Sequence, residues 1–138
     1  MSLSRSDELP SRTCRELLAS RELGRVAVCT DEGPRIVPVN YVVDGASLVF
    51  RTSSYGLLGR LASGGRIAFE VDDVDRDTRS GWSVVATGRA EPIEDPDELT
   101  LLRAFRDPQP WAPGLRLLYL RLTWQTLTGL RVSTAGQS

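Results

Sequence analysis

The chain has 138 residues, which fits a single domain, and its 41% hydrophobic and 25% charged residues are ordinary for a globular protein. A net charge of −1 leaves no basic excess for nucleic acid, no apolar run approaches the roughly 20 residues that span a membrane, and the polar N-terminus lacks a secretory signal. We therefore expect a soluble cytoplasmic protein without nucleic-acid or membrane partners.

The folded part of the chain is expected to lie between a polar leader and a polar tail. Residues 1–11 and 133–138 are predicted to be flexible, which leaves 12–132 as one domain. Thr13-Cys14-Arg15-Glu16 has the spacing of a capping box, and the leucines after it predict a short amphipathic helix over about 12–21.

Strand-like runs separated by turn residues dominate the rest of the domain. Pro38, inside the second run, has no amide proton for a ladder and indicates an edge or a bulge. Hairpins that follow one another favour a closed or nearly closed antiparallel barrel. About seven strands are predicted, at 25–30, 35–43, 47–52, 66–71, 81–91, 115–122 and 125–132.

Two more helices and an acidic loop complete the pattern. Leucines at helical spacing predict one short helix between Ser53 and Gly65. Asp95-Pro96-Asp97-Glu98 has a capping aspartate followed by proline, and predicts a helix that runs to about residue 106. The loop 72–80 has alternating carboxylates but lacks the glycine and the final glutamate of a calcium loop, so no metal site is predicted.

All 17 cationic residues are arginine, and the chain contains no lysine and no histidine. Without histidine there is no Ser-His-Asp or Cys-His nucleophile, and without lysine there is no Schiff base and no P-loop cation. If the protein catalyses a reaction, a bound cofactor should supply the reactive atoms. Cys14 and Cys29 do not form a C-x-x-C pair and are expected to be reduced thiols.

Arg51-Thr52-Ser53-Ser54 stands at the end of a predicted strand, just before a predicted helix. An arginine, three hydroxyls and exposed backbone amides form a cradle for an anion such as phosphate. A strand-end arginine followed by an ordinary Ser/Thr helix cap explains the same residues equally well. Trp82 and Trp111 could stack on a planar ligand, although a tryptophan in a strand or in a proline-rich loop more often serves simple packing.

Seven short segments follow one another along the chain in a recognisable order. They are Gly24-Arg25-Val26-Ala27, Val37-Pro38-Val39-Asn40-Tyr41, Leu48-Val49-Phe50-Arg51-Thr52, Ile67-Ala68-Phe69-Glu70-Val71-Asp72, Gly81-Trp82-Ser83-Val84-Val85, Gly88-Arg89-Ala90 and Pro110-Trp111-Ala112-Pro113-Gly114. Taken together, they resemble the pyridoxamine 5′-phosphate oxidase-like family of flavin-binding split barrels. The resemblance covers about residues 12–132 and implies a mainly β (α+β) fold, an antiparallel split β-barrel with a few short helices.

The resemblance also implies a homodimer that holds FMN at the subunit interface, near the third predicted strand and the helix after it. Carried over by position, three residues would hold the phosphate and the flavin edge, two would lie on the neighbouring strand, and a tryptophan would approach from the partner subunit. In that order they are Arg51, Thr52 and Ser53; Asn40 and Tyr41; and Trp82.

The chain departs from the family pattern at two places. Many relatives have a lysine or another polar residue about where Leu57 stands, and we expect Arg60, on the same helix face, to supply the missing cation. Close relatives often have a histidine where this chain has Leu117-Leu118-Tyr119. No catalytic residue is therefore assigned, and oxidation of pyridoxamine phosphate itself is not expected.

Three functions are compatible with these residues. The leading one is a flavin-dependent oxidoreductase of unknown substrate, in which FMN passes hydride or electrons and no protein nucleophile is needed. The second replaces FMN with the deazaflavin F420, which many similar proteins use. The third is a non-catalytic cofactor-binding or degenerate family member.

Overall fold

The computed structural model describes residues 4–53, 56, 58–59, 65–111 and 118–134. These residues form seven strands and two helices, and neither of the two helices is long and apolar enough to cross a lipid bilayer. In chain order the elements are β1 (Ser4–Glu8), α1 (Ser11–Ala19), β2 (Leu23–Thr30), β3 (Gly33–Asp44), β4 (Ser47–Thr52), β5 (Arg66–Asp75), β6 (Ser80–Pro92), α2 (Pro96–Phe105) and β7 (Leu118–Thr134).

The strands form one antiparallel sheet that closes on itself. Along the sheet the order is β1-β7-β4-β3-β2-β5-β6, and β6 also pairs with β7. That last pairing joins the two ends of the sheet into a barrel, while β1 lies outside the ring on the far half of β7. The predicted mainly β (α+β) fold, an antiparallel split barrel, is confirmed.

Apolar side chains fill the barrel because they alternate along its strands. In β2 and in the first half of β5, every second residue is buried, the pattern of a strand with one face on a core. The rings of Tyr41 and Phe69 meet edge to face with their centroids 4.6 Å apart. The largest fully buried side chains are those of Phe50, Phe69, Leu18, Leu48, Leu120 and Leu122.

Helix α2 packs outside the barrel over a second, smaller apolar cluster. The Asp95 side chain accepts a hydrogen bond from the backbone amide of Asp97 at 3.1 Å, so the predicted start of this helix is confirmed. Val49 belongs to this outer cluster while its neighbours in β4 belong to the core, since successive strand residues face opposite sides. The cluster consists of Val49, Ile93, Leu102 and Tyr119.

Strands reach into both of the segments predicted as leader and tail. Ser4–Glu8 is strand β1, and it pairs with Leu130–Thr134, so β7 extends into the predicted tail. Ser6, Asp7 and Glu8 are exposed, and an edge strand with polar residues on both faces lacks the alternation that sequence patterns detect. Residues 1–3 and 135–138 lie outside the described residues.

Strand β7 is one continuous strand where two, over 115–122 and 125–132, were predicted. The two strands were predicted to join near Thr123-Trp124, but β7 passes through these residues with a bulge. Opposite β6 the register shifts between Thr87 and Gly88. A bulge bends a strand without ending it, so β7 stays paired on both sides of the shift.

Three local predictions also need revision. Helix α1 starts directly after Pro10 with no side-chain cap, so the capping box at Thr13 is wrong although the helix itself is present. The predicted acidic loop is only the turn 76–79, because Asp75 Oδ1 accepts from the two backbone amides that close it. Of the predicted helix between Ser53 and Gly65, only Leu58 and Gly59 are described as helical.

Position 88 requires glycine, because the backbones of β6 and β7 lie too close there for a side chain. A Cβ on Gly88 would lie 2.2 Å from the carbonyl oxygen of Thr123, which is backbone and cannot rotate away. We expect Gly88→Ala to lower the free energy of unfolding by roughly 1–3 kcal/mol in urea titrations, as overpacking does. Gly56→Ala is the control, because its Cβ would meet nothing nearer than 3.5 Å, and equal losses in both variants would contradict the argument.

Candidate functional site

A cavity of about 230 Å³ opens where the middle of β3 and the end of β4 lie beside Pro110, which follows α2. It brings together four of the predicted cofactor residues. Tyr41 pairs with Phe50 across β3 and β4, so the next residues, Asn40 and Arg51, lie side by side where that ladder ends. The described residues that line the cavity are Val37, Pro38, Val39, Asn40, Arg51, Thr52, Ser53, Gly56, Leu58 and Pro110.

The guanidinium of Arg51 is held from two directions at the edge of the cavity. Its Nη1 donates to Oδ1 of Asp107 at 3.4 Å and to the carbonyl oxygen of Pro108 at 3.5 Å. It also lies over the ring of Tyr119, 5.0 Å from the ring centroid. Only 21% of the Arg51 side chain is exposed, so its charge is shielded from bulk water more than that of a surface arginine.

Residues 106–111, which we call the strap, contribute Pro110 to the lining of the cavity and are tied to β3 at both ends. Arg106 Nη1 donates to the carbonyl oxygen of Val43 at 2.7 Å. At the other end, the backbone amide of Trp111 donates to Oδ1 of Asn40 at 2.8 Å. Asn40 thus has a structural task in addition to lining the cavity.

The middle of the strap is fixed through Asp107. The hydroxyl of Tyr119 donates to Oδ1 of Asp107 at 2.8 Å. Burial, together with this hydrogen bond, raises the pKa of Tyr119, so at neutral pH the hydroxyl keeps its proton and remains a donor. Asp107 therefore accepts from both Arg51 and Tyr119.

The donor set of the cavity suits an anion. Arg51 brings a cation, Thr52 and Ser53 bring hydroxyls, and none of the described lining residues is acidic. The chain turns immediately after β4, where the amide of Gly56 donates to the carbonyl oxygen of Ser53 at 3.1 Å. The sequence prediction of an anion cradle at this strand end thus has a cavity to match.

Tyr41 does not share the cavity with its neighbour Asn40. Its hydroxyl donates to the carbonyl oxygen of Leu18, its side chain is 2% exposed, and burial raises its pKa well above the usual range. Adjacent residues of a strand face opposite sides, so Asn40 faces the cavity while Tyr41 faces the core. The structure places the ring of Tyr41 against Phe69, and the cofactor contact predicted for Tyr41 stays a prediction.

Trp82 lies on β6, at a separate surface that shares no lining residue with the cavity at Arg51 among the described residues. The guanidinium of Arg21 covers its ring, 5.3 Å from the centroid, and is paired with Asp73. Beside it is a second cavity of about 490 Å³. We call the apolar residues of this region the Trp82 surface: Val74, Trp82, Leu130 and Val132.

Two predicted positions lie outside the described residues. These are Arg60, expected to supply a second cation, and Leu57, where family members often have a polar residue. Their roles stay predictions. Asp107 could not be singled out from the sequence, because nothing local marks an aspartate in an irregular loop and its partner Arg51 is 56 residues away.

Comparison with known proteins identifies relatives along nearly the whole chain. The model of the pyridoxamine 5′-phosphate oxidase family matches residues 10–131. The uncharacterized protein Rv0080 of Mycobacterium tuberculosis is 32% identical over 130 residues, which are 91% of this chain and 84% of that protein.

Two solved structures are similar in both fold and sequence. One is a candidate pyridoxamine 5′-phosphate oxidase from Corynebacterium glutamicum, with a TM-score of 0.79 and 31% identity over 96% of each chain. The other is an FAD-binding protein from Mycobacterium smegmatis, with a TM-score of 0.72 and 28% identity, covering 92% of this chain and 98% of that one.

The hydrogen bonds of Asn40 predict how the strap is held. Asn40→Ala removes the acceptor for the Trp111 amide and the donor to the carbonyl oxygen of Glu22, and we expect a loss of about 1–2 kcal/mol in unfolding free energy. Amide hydrogen exchange at Trp111 should become faster. Asn40→Asp, which keeps the acceptor, should retain most of the protection at Trp111, and unchanged exchange in Asn40→Ala would show that the strap is held elsewhere.

Proposed function

The chain belongs to the pyridoxamine 5′-phosphate oxidase family, and on that premise we propose that it binds FMN beside Arg51 and acts as a flavin-dependent oxidoreductase. One observation carries the proposal: the cavity that gathers Arg51, Thr52, Ser53 and Asn40 at the end of β4. A relative of known structure is an FAD-binding protein, which supports a flavin as the class of ligand.

The residues present fit the phosphate end of such a cofactor. Arg51 would donate charge-assisted hydrogen bonds to phosphate oxygens, and the hydroxyls of Thr52 and Ser53 would add two more donors. Val37, Val39 and the other apolar lining residues would contact the less polar part. When bound, a flavin supplies the hydride or electron transfer, which suits a chain that has no histidine or lysine.

The size of the cavity supports a second copy of the chain as part of the site. At about 230 Å³ it is smaller than the roughly 300–1,000 Å³ of typical small-molecule pockets, so one chain would enclose only part of a flavin. The Trp82 surface offers apolar area for a partner, since Val74 is 68% exposed and Leu130 is 44% exposed. We propose a homodimer in which this surface is buried and Trp82 approaches the cofactor of the other copy.

The cysteines support a reducing compartment. Cys14 is buried and Cys29 is exposed, and both are free thiols. Exposed thiols persist where glutathione and thioredoxin keep them reduced, so we propose that the protein works in the cytoplasm.

Flavin binding is tested with purified protein by absorbance and fluorescence titration with FMN, and in parallel with F420. We expect saturable FMN binding that Arg51→Gln weakens by roughly 10- to 100-fold, the loss of a hydrogen bond to a charged group. Arg35→Gln is the matched control, because Arg35 is exposed and pairs only locally with Glu32 on the β2–β3 hairpin. Binding of F420 alone would favour a deazaflavin reductase, and binding of neither would favour a non-catalytic member of the family.

The dimer is tested by light scattering on Val74→Glu. A buried unpaired carboxylate at an interface is costly, so we expect this variant to be a monomer where the parent is a dimer. A cooperative thermal unfolding transition would show that the monomer is still folded. Leu101→Glu is the control, because Leu101 is 62% exposed on α2, away from the Trp82 surface. A dimer that survives Val74→Glu unchanged would place the interface elsewhere.

A further inference from the structure

We propose that Asp107 sets the preference of the site between singly and doubly charged phosphate groups, because its carboxylate is the counter-ion of Arg51. The inference rests on the proposed function, because it concerns the phosphate of the cofactor placed beside Arg51. It assigns Asp107 as a specificity-determining residue that disfavours a doubly charged phosphate monoester.

The geometry makes Asp107 a competitor of any anion that uses Arg51. Its Oδ1 lies 3.4 Å from Nη1 of Arg51, at the distance of an ion pair. Both side chains are mostly shielded, with 21% of Arg51 and 23% of Asp107 exposed, so their interaction is screened less than that of a surface pair. An incoming phosphate therefore has to share the guanidinium with a carboxylate or to displace it.

Asp107 cannot leave the site easily. The Tyr119 hydroxyl donates to the same Oδ1 at 2.8 Å, and the strap on which Asp107 sits is tied to β3 through Arg106 and Trp111. Even when a ligand takes over Arg51, the carboxylate stays next to the bound anion. The negative charge of Asp107 then repels the bound anion.

The charges around the cavity determine which phosphate group is repelled most strongly. Among the described residues that line the cavity, Arg51 is the only charged one, and Asp107 neutralises it. Arg103 also lies over the Tyr119 ring, 5.4 Å from the centroid, but it is an exposed residue. A phosphate monoester such as that of FMN carries close to two negative charges at neutral pH, whereas each phosphate of a diphosphate diester carries one. The monoester is therefore repelled more strongly.

The test compares three flavins that share the isoalloxazine ring and the ribityl chain: riboflavin has no phosphate, FMN has a phosphate monoester, and FAD has a diphosphate diester that also carries adenosine. Dissociation constants for riboflavin, FMN and FAD are measured by flavin fluorescence on the parent protein and on Asp107→Asn. We expect Asp107→Asn to bind FMN roughly tenfold more tightly, FAD with a smaller gain, and riboflavin with no change. Asparagine keeps an oxygen acceptor for Tyr119, so the strap should stay in place, and an unchanged melting temperature checks this. Asp31→Asn, which removes the same charge from the exposed β2–β3 turn, should leave all three constants unchanged.

A second readout separates this inference from the proposed function. Inorganic phosphate should raise the melting temperature of Asp107→Asn more than that of the parent or of Asp31→Asn. If no flavin binds any of the proteins, the proposed function fails, and the phosphate result alone then supports or overturns the role of Asp107. If flavins bind but the ratio of FMN to riboflavin affinity is the same in the parent and in Asp107→Asn, the role of Asp107 is overturned while the flavin site stands.

Discussion

Strand β7 pairs with β4 through Leu118–Thr123, with β6 through Leu120–Val132 and with β1 through Leu130–Thr134. It can serve three partners because it uses both edges: β6 lies along one edge, and β4 and then β1 lie along the other. The bulge opposite Gly88 bends the strand while the pairing with β6 continues. The carbonyl oxygen of Thr123 approaches Gly88 so closely at this point that a side chain would not fit.

The site is built from the hairpin of β3 and β4, but an outer layer completes it. Helix α2 rests on the cluster around Val49 and Tyr119, and the strap continues from its end across the cavity wall. This outer layer places the carboxylate of Asp107 beside Arg51, which is the one charged residue among the described residues that line the cavity. The guanidinium of Arg51 therefore already has a carboxylate partner, and an anion that binds beside Arg51 also lies near that carboxylate.

The nearness of Asn40 and Arg51 could be predicted from the sequence, because the two residues belong to one hairpin. Their strands are joined by a two-residue turn, where Gly45 has a φ of +62°, and such a short turn fixes which residues of the two strands lie opposite each other. The period of two along a strand also places the side chain of Tyr41 on the face opposite to that of Asn40. The position of Asp107 beside Arg51 could not be predicted, because a contact across 56 residues leaves no local pattern.

By itself the sequence determined the strand-rich class of the fold, the antiparallel hairpins, the start of α2 and the chemistry that the chain lacks. These features follow from hydrophobic alternation, turn residues, a capping aspartate and residue types, all of which act over a few neighbouring positions. Only the tertiary structure decided that β1 is a strand, that β7 is continuous and that Arg51 faces a carboxylate. Each of these depends on backbone groups or charges that find their partners far away along the chain, after the barrel has closed.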